Sequence, residues 1–323
     1  ITSATQIGAG ITLNTGPGGL IGGLIVGQLA ATGRLAWQIG KDEGKVLISY
    51  ISIQKLKQIA LRYKKFPLYD SWSSLFNTAS TMLPALLLGY FFTPAVVGYY
   101  ALGNRVLAMP MNVIGGSIAQ VFFPRATQAQ HDGELSRVTL DMFERLLAIG
   151  FVPVMLIALV APDLFSLVFG EKWRVAGQYA RWMSLWLLFV FVSSPLSTMY
   201  YVKERQKDGL IINFIMFSSR LLVLVIGGIK GDALFTIALF GITGAVLWIV
   251  NCVYILYLAD VPGLRTFSAI LKQVTEGVPY AILPLMAWHI YGNTISFVLA
   301  GVGAGIIFLI IMAVKIKKSG TLI

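Results

Sequence analysis

Long apolar segments separated by short polar ones run along almost the entire chain. A helix needs about 20 mainly apolar residues to cross a bilayer. This pattern predicts spans at about 18–39, 67–92, 95–122, 145–169, 177–201, 209–229, 233–258, 268–290 and 294–314. Residues 1–15 have the pattern expected for the closing half of an earlier span. No segment alternates as a membrane β-strand does, so we expect an all-α integral membrane protein with about nine full transmembrane helices plus part of one more.

The composition supports a membrane protein and argues against an enzyme. Of the 323 residues, 57% are hydrophobic and only 12% are charged, whereas a soluble domain carries about 25% charged residues. One cysteine and two histidines exclude a disulfide framework and argue against a Cys/His metal site. The glycine-rich stretches lack the context of a nucleotide-binding loop. We therefore expect a secondary transporter that needs no cofactor, and, because the chain starts at Ile1 without a methionine, part of a longer protein.

The net charge of +11 is explained by membrane topology. Lysine and arginine concentrate in cytoplasmic segments of membrane proteins. If the loop after the first full span is cytoplasmic, nineteen of the 25 basic residues lie inside and four lie outside. The four outside are Lys172, Arg174, Arg181 and Lys230. This bias predicts a cytoplasmic carboxy terminus and removes the need for a nucleic-acid partner.

The basic connector "VLISYISIQKLKQIALRYKKF" joins the first full span to the next. Ile53, Leu56, Ala60 and Tyr63 share one helical face, and basic residues occupy another. This pattern is typical of a helix lying on the anionic inner leaflet. A connector that only sets the topology explains the charges equally well.

Two arginines, Arg105 and Arg220, lie about ten residues into apolar spans, close to the bilayer midplane. Asn112 and Asn213 lie seven residues, or about two helical turns, from them on the same faces. Because no acidic residue is a convincing partner, we expect these arginines to end a polar vestibule and to bind an anion such as phosphate. Small and hydroxyl residues that pack helices, and an arginine that caps carbonyls freed by a proline, are the structural alternative. The predicted substrate-binding residues are Arg105, Arg220, Asn104, Asn112, Asn213 and Asn77.

Residues 66–127 carry a family resemblance, in "LLLGYFFTPAVVGYYAL", "NRVLAMP" and "GGSIAQVFFPRAT". They resemble the opening of the second lobe of bacterial polysaccharide flippases, in the multidrug/oligosaccharidyl-lipid/polysaccharide exporter superfamily. The resemblance implies that residues 1–39 end a first transmembrane lobe and 40–66 form a linker. It further implies that 67–260 form a second six-helix lobe and 261–323 two additional helices with a basic cytoplasmic tail. About four helices and part of a fifth would be missing from the amino end.

The same resemblance implies a function in the bacterial inner membrane. The expected cargo is an oligosaccharide repeat unit on polyprenyl diphosphate, moved from the cytoplasmic to the outer leaflet for exopolysaccharide or lipopolysaccharide biosynthesis. Membrane lipid and other polysaccharide-assembly membrane proteins are the expected partners. One alternative is a cation-coupled multidrug exporter of the same superfamily, which would normally need membrane-buried acids. Another is a polysaccharide polymerase or ligase, which would need a large external loop.

Overall fold

The computed structural model describes residues 17–50, 52–63 and 66–319. Within these ranges, the side chains of residues 17–21, 42–50, 55, 63, 66, 110, 112, 113 and 316–319 are not described. The half-span expected at residues 1–15 therefore lies outside the described residues. Every regular element in the described ranges is helical, as an all-α membrane protein requires, because a helix satisfies its own backbone hydrogen bonds in lipid.

The described residues up to Tyr63 form one compact unit, and those from Phe66 onward form the other. The described part of the first unit contains two helices, α1 (Pro17–Tyr50) and α2 (Ile53–Tyr63). Helix α2 lies within the predicted amphipathic connector, whose first residues belong to α1, and the side chains of Ile53, Leu56 and Ile59 are exposed. Whether α2 lies on the membrane surface stays a prediction, as does the assignment of the units to lobes.

The second unit opens with a π-helical turn, Phe66–Asp70, that leads directly into a long helix. A short 3-10 turn, Glu171–Trp173, later joins two of its helices. The helices of the unit are α3 (Ser71–Phe91), α4 (Pro94–His131), α5 (Leu135–Phe169), α6 (Arg174–Leu196), α7 (Met199–Val202), α8 (Gln206–Lys230), α9 (Ala233–Leu258), α10 (Gly263–Tyr291) and α11 (Thr294–Ser319).

Five segments among the described residues are long and apolar enough to cross a membrane. They are Leu135–Phe169, Glu171–Val202, Gln206–Lys230, Ala233–Leu258 and Thr294–Lys315. Helix α4 makes a sixth if its two parts, Pro94–Met109 and Ile114–His131, which meet at 43°, are one span. The multi-pass membrane character is thus confirmed. The count of nine spans is not, although each predicted span overlaps a helix, because α1, α3 and α10 are not among those that meet the criterion.

Helix α6 is the centre of the second unit and packs against α4, α5 and α9. Its close approach to α5 depends on Gly177, because a Cβ there would meet the Ala161 carbonyl and Pro162 at less than van der Waals distance. Two apolar clusters surround α6, one around Phe143 and Leu196 and the other around Leu88 and Met183. Helices α10 and α11 pack together against the outer side of α5.

Helices α3 and α8 pack directly against each other although they lie about 140 residues apart in sequence. Helix α9 lies beside α8, and α4 beside α6. The polar residues of α3 and α8 therefore face a space that α6 and α9 also border. This arrangement positions the candidate site.

Candidate substrate cavity

A cavity of about 510 Å³ lies inside the second unit. It is bordered by six helices, α3, α4 and α6–α9. Along α8 its lining extends from Gln206 to Arg220, about 21 Å of helix axis. Most lining side chains are neutral and polar or aromatic; among the described residues only Asp70 and Arg220 add charge. The volume lies within the range of about 300–1,000 Å³ that is typical of ligand sites.

Two hydrogen bonds join α3 to α8 along one wall of this cavity. The Asn213 side-chain amide donates to Ser73 Oγ at 2.7 Å, and Arg220 Nη1 donates to Ser80 Oγ at 2.9 Å. Both the donors and the acceptors are seven residues apart, so the bonds repeat after about two helical turns. The bond between Asn213 and Ser73 is neutral and part-buried, whereas the bond between Arg220 and Ser80 is charged and buried.

The Arg220 side chain ends the cavity in a mainly aromatic environment. The residue is 8% exposed, and its guanidinium carbon lies 5.0 Å from the Trp186 ring centre and 5.5 Å from the Phe240 ring centre. Cation–π attraction to these ring faces stabilises the positive charge where water cannot. Among the described residues no carboxylate lies within 4.0 Å of Arg220.

The hydrogen bonds that Arg220 makes to described residues use only Nη1, to Ser80 Oγ and, at 3.4 Å, to the Ser80 carbonyl. A guanidinium has five N–H donors in a planar fork that matches carboxylate and phosphate oxygens. Donors on Nε and Nη2 are therefore available for an anion. The positive charge is held in place by α3, Trp186 and Phe240 rather than neutralised.

Other polar groups of the cavity wall are buried without a partner among the described residues. They are the indole N–H groups of Trp186 and Trp248 and the side-chain oxygen of Gln206. In contrast, the Tyr200 hydroxyl donates to Asn251 Oδ1 at 2.7 Å. Buried polar groups normally have a hydrogen-bond partner, so the unpartnered ones indicate a wall that is completed by water or by a polar guest.

The structure brings together four of the six predicted site residues. Asn77, Asn104, Asn213 and Arg220 line this cavity. The Arg105 side chain is exposed on the second unit and does not line it. The side chain of Asn112 lies outside the described residues. The role of all six in substrate binding stays a prediction.

Several cavity residues were not identified from the sequence. Ser80 lies seven residues after Ser73 on the same face of α3, so helical spacing was a usable signal for it. Asn251 is a polar residue in an apolar span, which is a second usable signal. The sequence carries no usable signal for Trp186 and Trp248, because aromatic residues are common throughout membrane helices.

Comparison with known proteins identifies relatives in polysaccharide biosynthesis. A family model described as "Polysaccharide biosynthesis protein" matches residues 20–178. The lipopolysaccharide biosynthesis protein WzxC of Escherichia coli (strain K12) is 25% identical over 219 residues, which cover 64% of this chain and 44% of WzxC. The teichuronic acid biosynthesis protein TuaB of Bacillus subtilis (strain 168) is 22% identical over 141 residues, covering 43% of this chain and 29% of TuaB. An uncharacterized membrane protein in the cps region of Klebsiella pneumoniae is 25% identical over 164 residues, covering 50% of this chain and 33% of that protein.

The fold gives an independent match. The solved structure of the lipid II flippase MurJ, in an inward closed conformation, aligns with a TM-score of 0.58 at 12% identity. The alignment covers 99% of this chain and 67% of that one. The predicted resemblance is confirmed. The chain has an all-α fold similar to that of this structure, and its matches to the curated relatives span less than half of their lengths.

Proposed function

We propose that the chain functions in a flippase for polyprenyl-diphosphate-linked oligosaccharide repeat units. The cargo moves from the cytoplasmic to the outer leaflet of the bacterial inner membrane for polysaccharide biosynthesis. The observation that carries the proposal is the buried Arg220 charge at the end of a neutral polar cavity. Relatives named for lipopolysaccharide and teichuronic acid biosynthesis support the substrate class.

Each part of such a cargo has matching chemistry. A diphosphate suits the free donors of the Arg220 guanidinium, and sugar hydroxyls suit the amides of Asn77, Asn104 and Asn213. The prenyl chain stays in the surrounding lipid, where it costs no free energy of transfer. The exposed Arg105 supplies a second positive charge for the diphosphate outside this cavity. Rocking of two lobes about the midplane then exposes the cargo on the other side.

The buried positive charge of Arg220 disfavours cationic drugs as cargo. A buried arginine repels a cation in a medium of low dielectric constant, and among the described lining residues only Asp70 is acidic. Asp70 lies about 15 Å from Ser80 along α3, too far to neutralise the guanidinium. The cavity therefore favours an anionic guest.

The test uses the full-length protein in liposomes that contain a labelled polyprenyl-diphosphate oligosaccharide. The rate at which an external glycosidase cleaves the glycan is measured for the wild type, Arg105→Ala and Arg220→Gln. Arg137→Gln is the matched control, because this arginine is on the exposed start of α5. We expect both site variants to slow exposure at least tenfold and the control to leave it unchanged. Normal rates in both site variants would refute the diphosphate clamp, and no exposure by folded wild type would refute the flippase.

A further inference from the structure

A small cavity of about 10 Å³ lies where α8 packs against α9, and we call it the α8–α9 cavity. This volume has room for a single guest about the size of a water molecule. Four polar side chains line it, Ser219 and Arg220 from α8 and Thr243 and Trp248 from α9. The other described lining residues are apolar or glycine. Arg220 and Trp248 also line the larger substrate cavity, so the two spaces meet at the buried guanidinium.

The four polar side chains keep hydrogen-bond donors that no described residue uses. The Trp248 indole N–H is buried without a partner, and Arg220 donates only through Nη1. A serine or threonine hydroxyl on a helix commonly donates to the carbonyl one turn before it. Neither Ser219 nor Thr243 makes such a bond within the described part of the chain. Free donors from both helices therefore border the same small space.

The chemistry of this lining favours an anion over a water molecule. Arginine and tryptophan side chains have no acceptor, and no described lining residue is acidic. Water would accept these hydrogen bonds but would leave the Arg220 charge uncompensated, which is costly inside a membrane. An anion accepts the bonds and neutralises the charge. Phosphate and carboxylate groups are too large for about 10 Å³, so the cavity fits a monatomic anion.

We propose that the α8–α9 cavity binds one halide ion, which in a cell is chloride, as the counter-ion of Arg220. The ion accepts hydrogen bonds from the guanidinium, the Trp248 indole N–H and the Ser219 and Thr243 hydroxyls. It compensates a charge that Ser80 and two aromatic rings stabilise but do not neutralise. This assignment does not rest on the proposed function, because it requires no lipid-linked cargo.

The first test asks whether halides stabilise the folded protein through Arg220. The melting temperature of the full-length protein in micelles is measured while sodium chloride replaces sodium gluconate at constant ionic strength, because gluconate is too large for the cavity. We expect a rise of about 3 °C that saturates with chloride concentration, as binding to the folded state requires. Arg220→Met should abolish this rise, and Arg137→Gln, at an exposed arginine of α5, should retain it. Equal melting temperatures in chloride and gluconate, or an unchanged chloride response in Arg220→Met, would overturn the proposal.

The second test locates the ion while the charge of Arg220 is kept. Thr243→Val and Trp248→Phe each remove one donor, and each should raise the half-saturating chloride concentration about tenfold, as expected for the loss of a hydrogen bond to a charged group. Thr236→Val is the matched control, because the Thr236 hydroxyl on the same helix donates to the Asp232 carbonyl and lies outside the cavity. It should leave the half-saturating concentration unchanged.

Bromide then replaces chloride in crystals of the full-length protein, because its anomalous X-ray signal shows where the ion lies. We expect one bromide peak in the α8–α9 cavity, in contact with the Arg220 guanidinium. A water molecule in the cavity without anomalous signal, or bromide only at other positions, would overturn the assignment. Wild-type chloride affinity in both Thr243→Val and Trp248→Phe would overturn it as well. None of these readouts depends on whether the protein flips an oligosaccharide.

Discussion

The Ser80–Arg220 hydrogen bond makes a quantitative prediction about the stability of the second unit. Ser80 is 2% exposed and accepts a 2.9 Å bond from the guanidinium of Arg220, a residue that is itself 8% exposed. A hydrogen bond to a charged group contributes about 1.5–3 kcal/mol. The Ser80 carbonyl, at 3.4 Å, is a long and weak second acceptor. We therefore expect Ser80→Ala to lower the free energy of unfolding by about 2 kcal/mol.

The same substitution is expected to have little effect once the charge is gone. Replacing a buried charge by an apolar residue of similar size is often neutral or stabilising, because the desolvation penalty disappears with it. Arg220→Met should thus fold normally while it loses transport. In the Arg220→Met background Ser80 has no cation to bind, and Ser80→Ala should cost close to zero. The double-mutant cycle then gives a coupling energy of about 2 kcal/mol.

The measurement is reversible unfolding in mixed micelles, followed by tryptophan fluorescence, for the wild type, both single variants and the double variant. Ser73→Ala is the matched control, because Ser73 lies on the same helix and accepts a neutral bond from Asn213. It should cost about 1 kcal/mol and show no coupling to Arg220→Met. If Ser80→Ala costs the same in both backgrounds, to within about 0.5 kcal/mol, the inference that Ser80 holds the buried charge is wrong.

Three further outcomes follow from packing, burial and topology. Gly177→Ala should lower the melting temperature, because overpacking against α5 costs about 1–3 kcal/mol. Gly98→Ala is the control: its new Cβ has nothing within 4 Å, so the melting temperature should stay unchanged or rise. Equal effects of the two substitutions would contradict the close approach of α6 to α5. Cys252 is 3% exposed, so a polar maleimide should modify it only after unfolding in detergent; rapid modification of the native protein would contradict its burial. The topology is tested in a background where Cys252 is replaced by serine. Lys172→Cys should react with a membrane-impermeant maleimide in intact cells, whereas Lys207→Cys should react only after the cells are permeabilised. The reverse pattern would show that the predicted topology is inverted.

The sequence predicted the helices better than the number of spans. Apolar length depends on local composition, so each predicted span overlaps a helix of the structure. Helix α10 shows why the number of spans is harder to predict. The predicted span 268–290 includes Lys272 and Glu276, and α10 is not among the helices that are long and apolar enough to cross a membrane. Both residues line a space that α10 shares with α5 and α11, and this position depends on tertiary packing that has no local signature in the sequence.

The two deep arginines show the same limit in the candidate site. Periodicity placed Arg105 and Arg220 at similar depth and correctly joined Arg220 to Asn213 on one face. It could not distinguish their surroundings, since these depend on which helix packs alongside. Arg220 is buried by α3 and two aromatic rings, whereas Arg105 is exposed on the second unit. Ser80 lies 140 residues away from its partner, so only tertiary packing reveals the bond.

The proposed role of Arg220 is binding rather than stabilisation of the fold. A neutral residue at this position would pack against Trp186 and Phe240 without any desolvation penalty. The charge is stabilised by one strong hydrogen bond and two ring faces, yet among the described residues no acid compensates it within 4.0 Å. An uncompensated cation inside a membrane is costly for the fold. Under the proposed function, that cost is offset when an anion enters the cavity, and we expect the same free energy to select anionic cargo over neutral or cationic molecules.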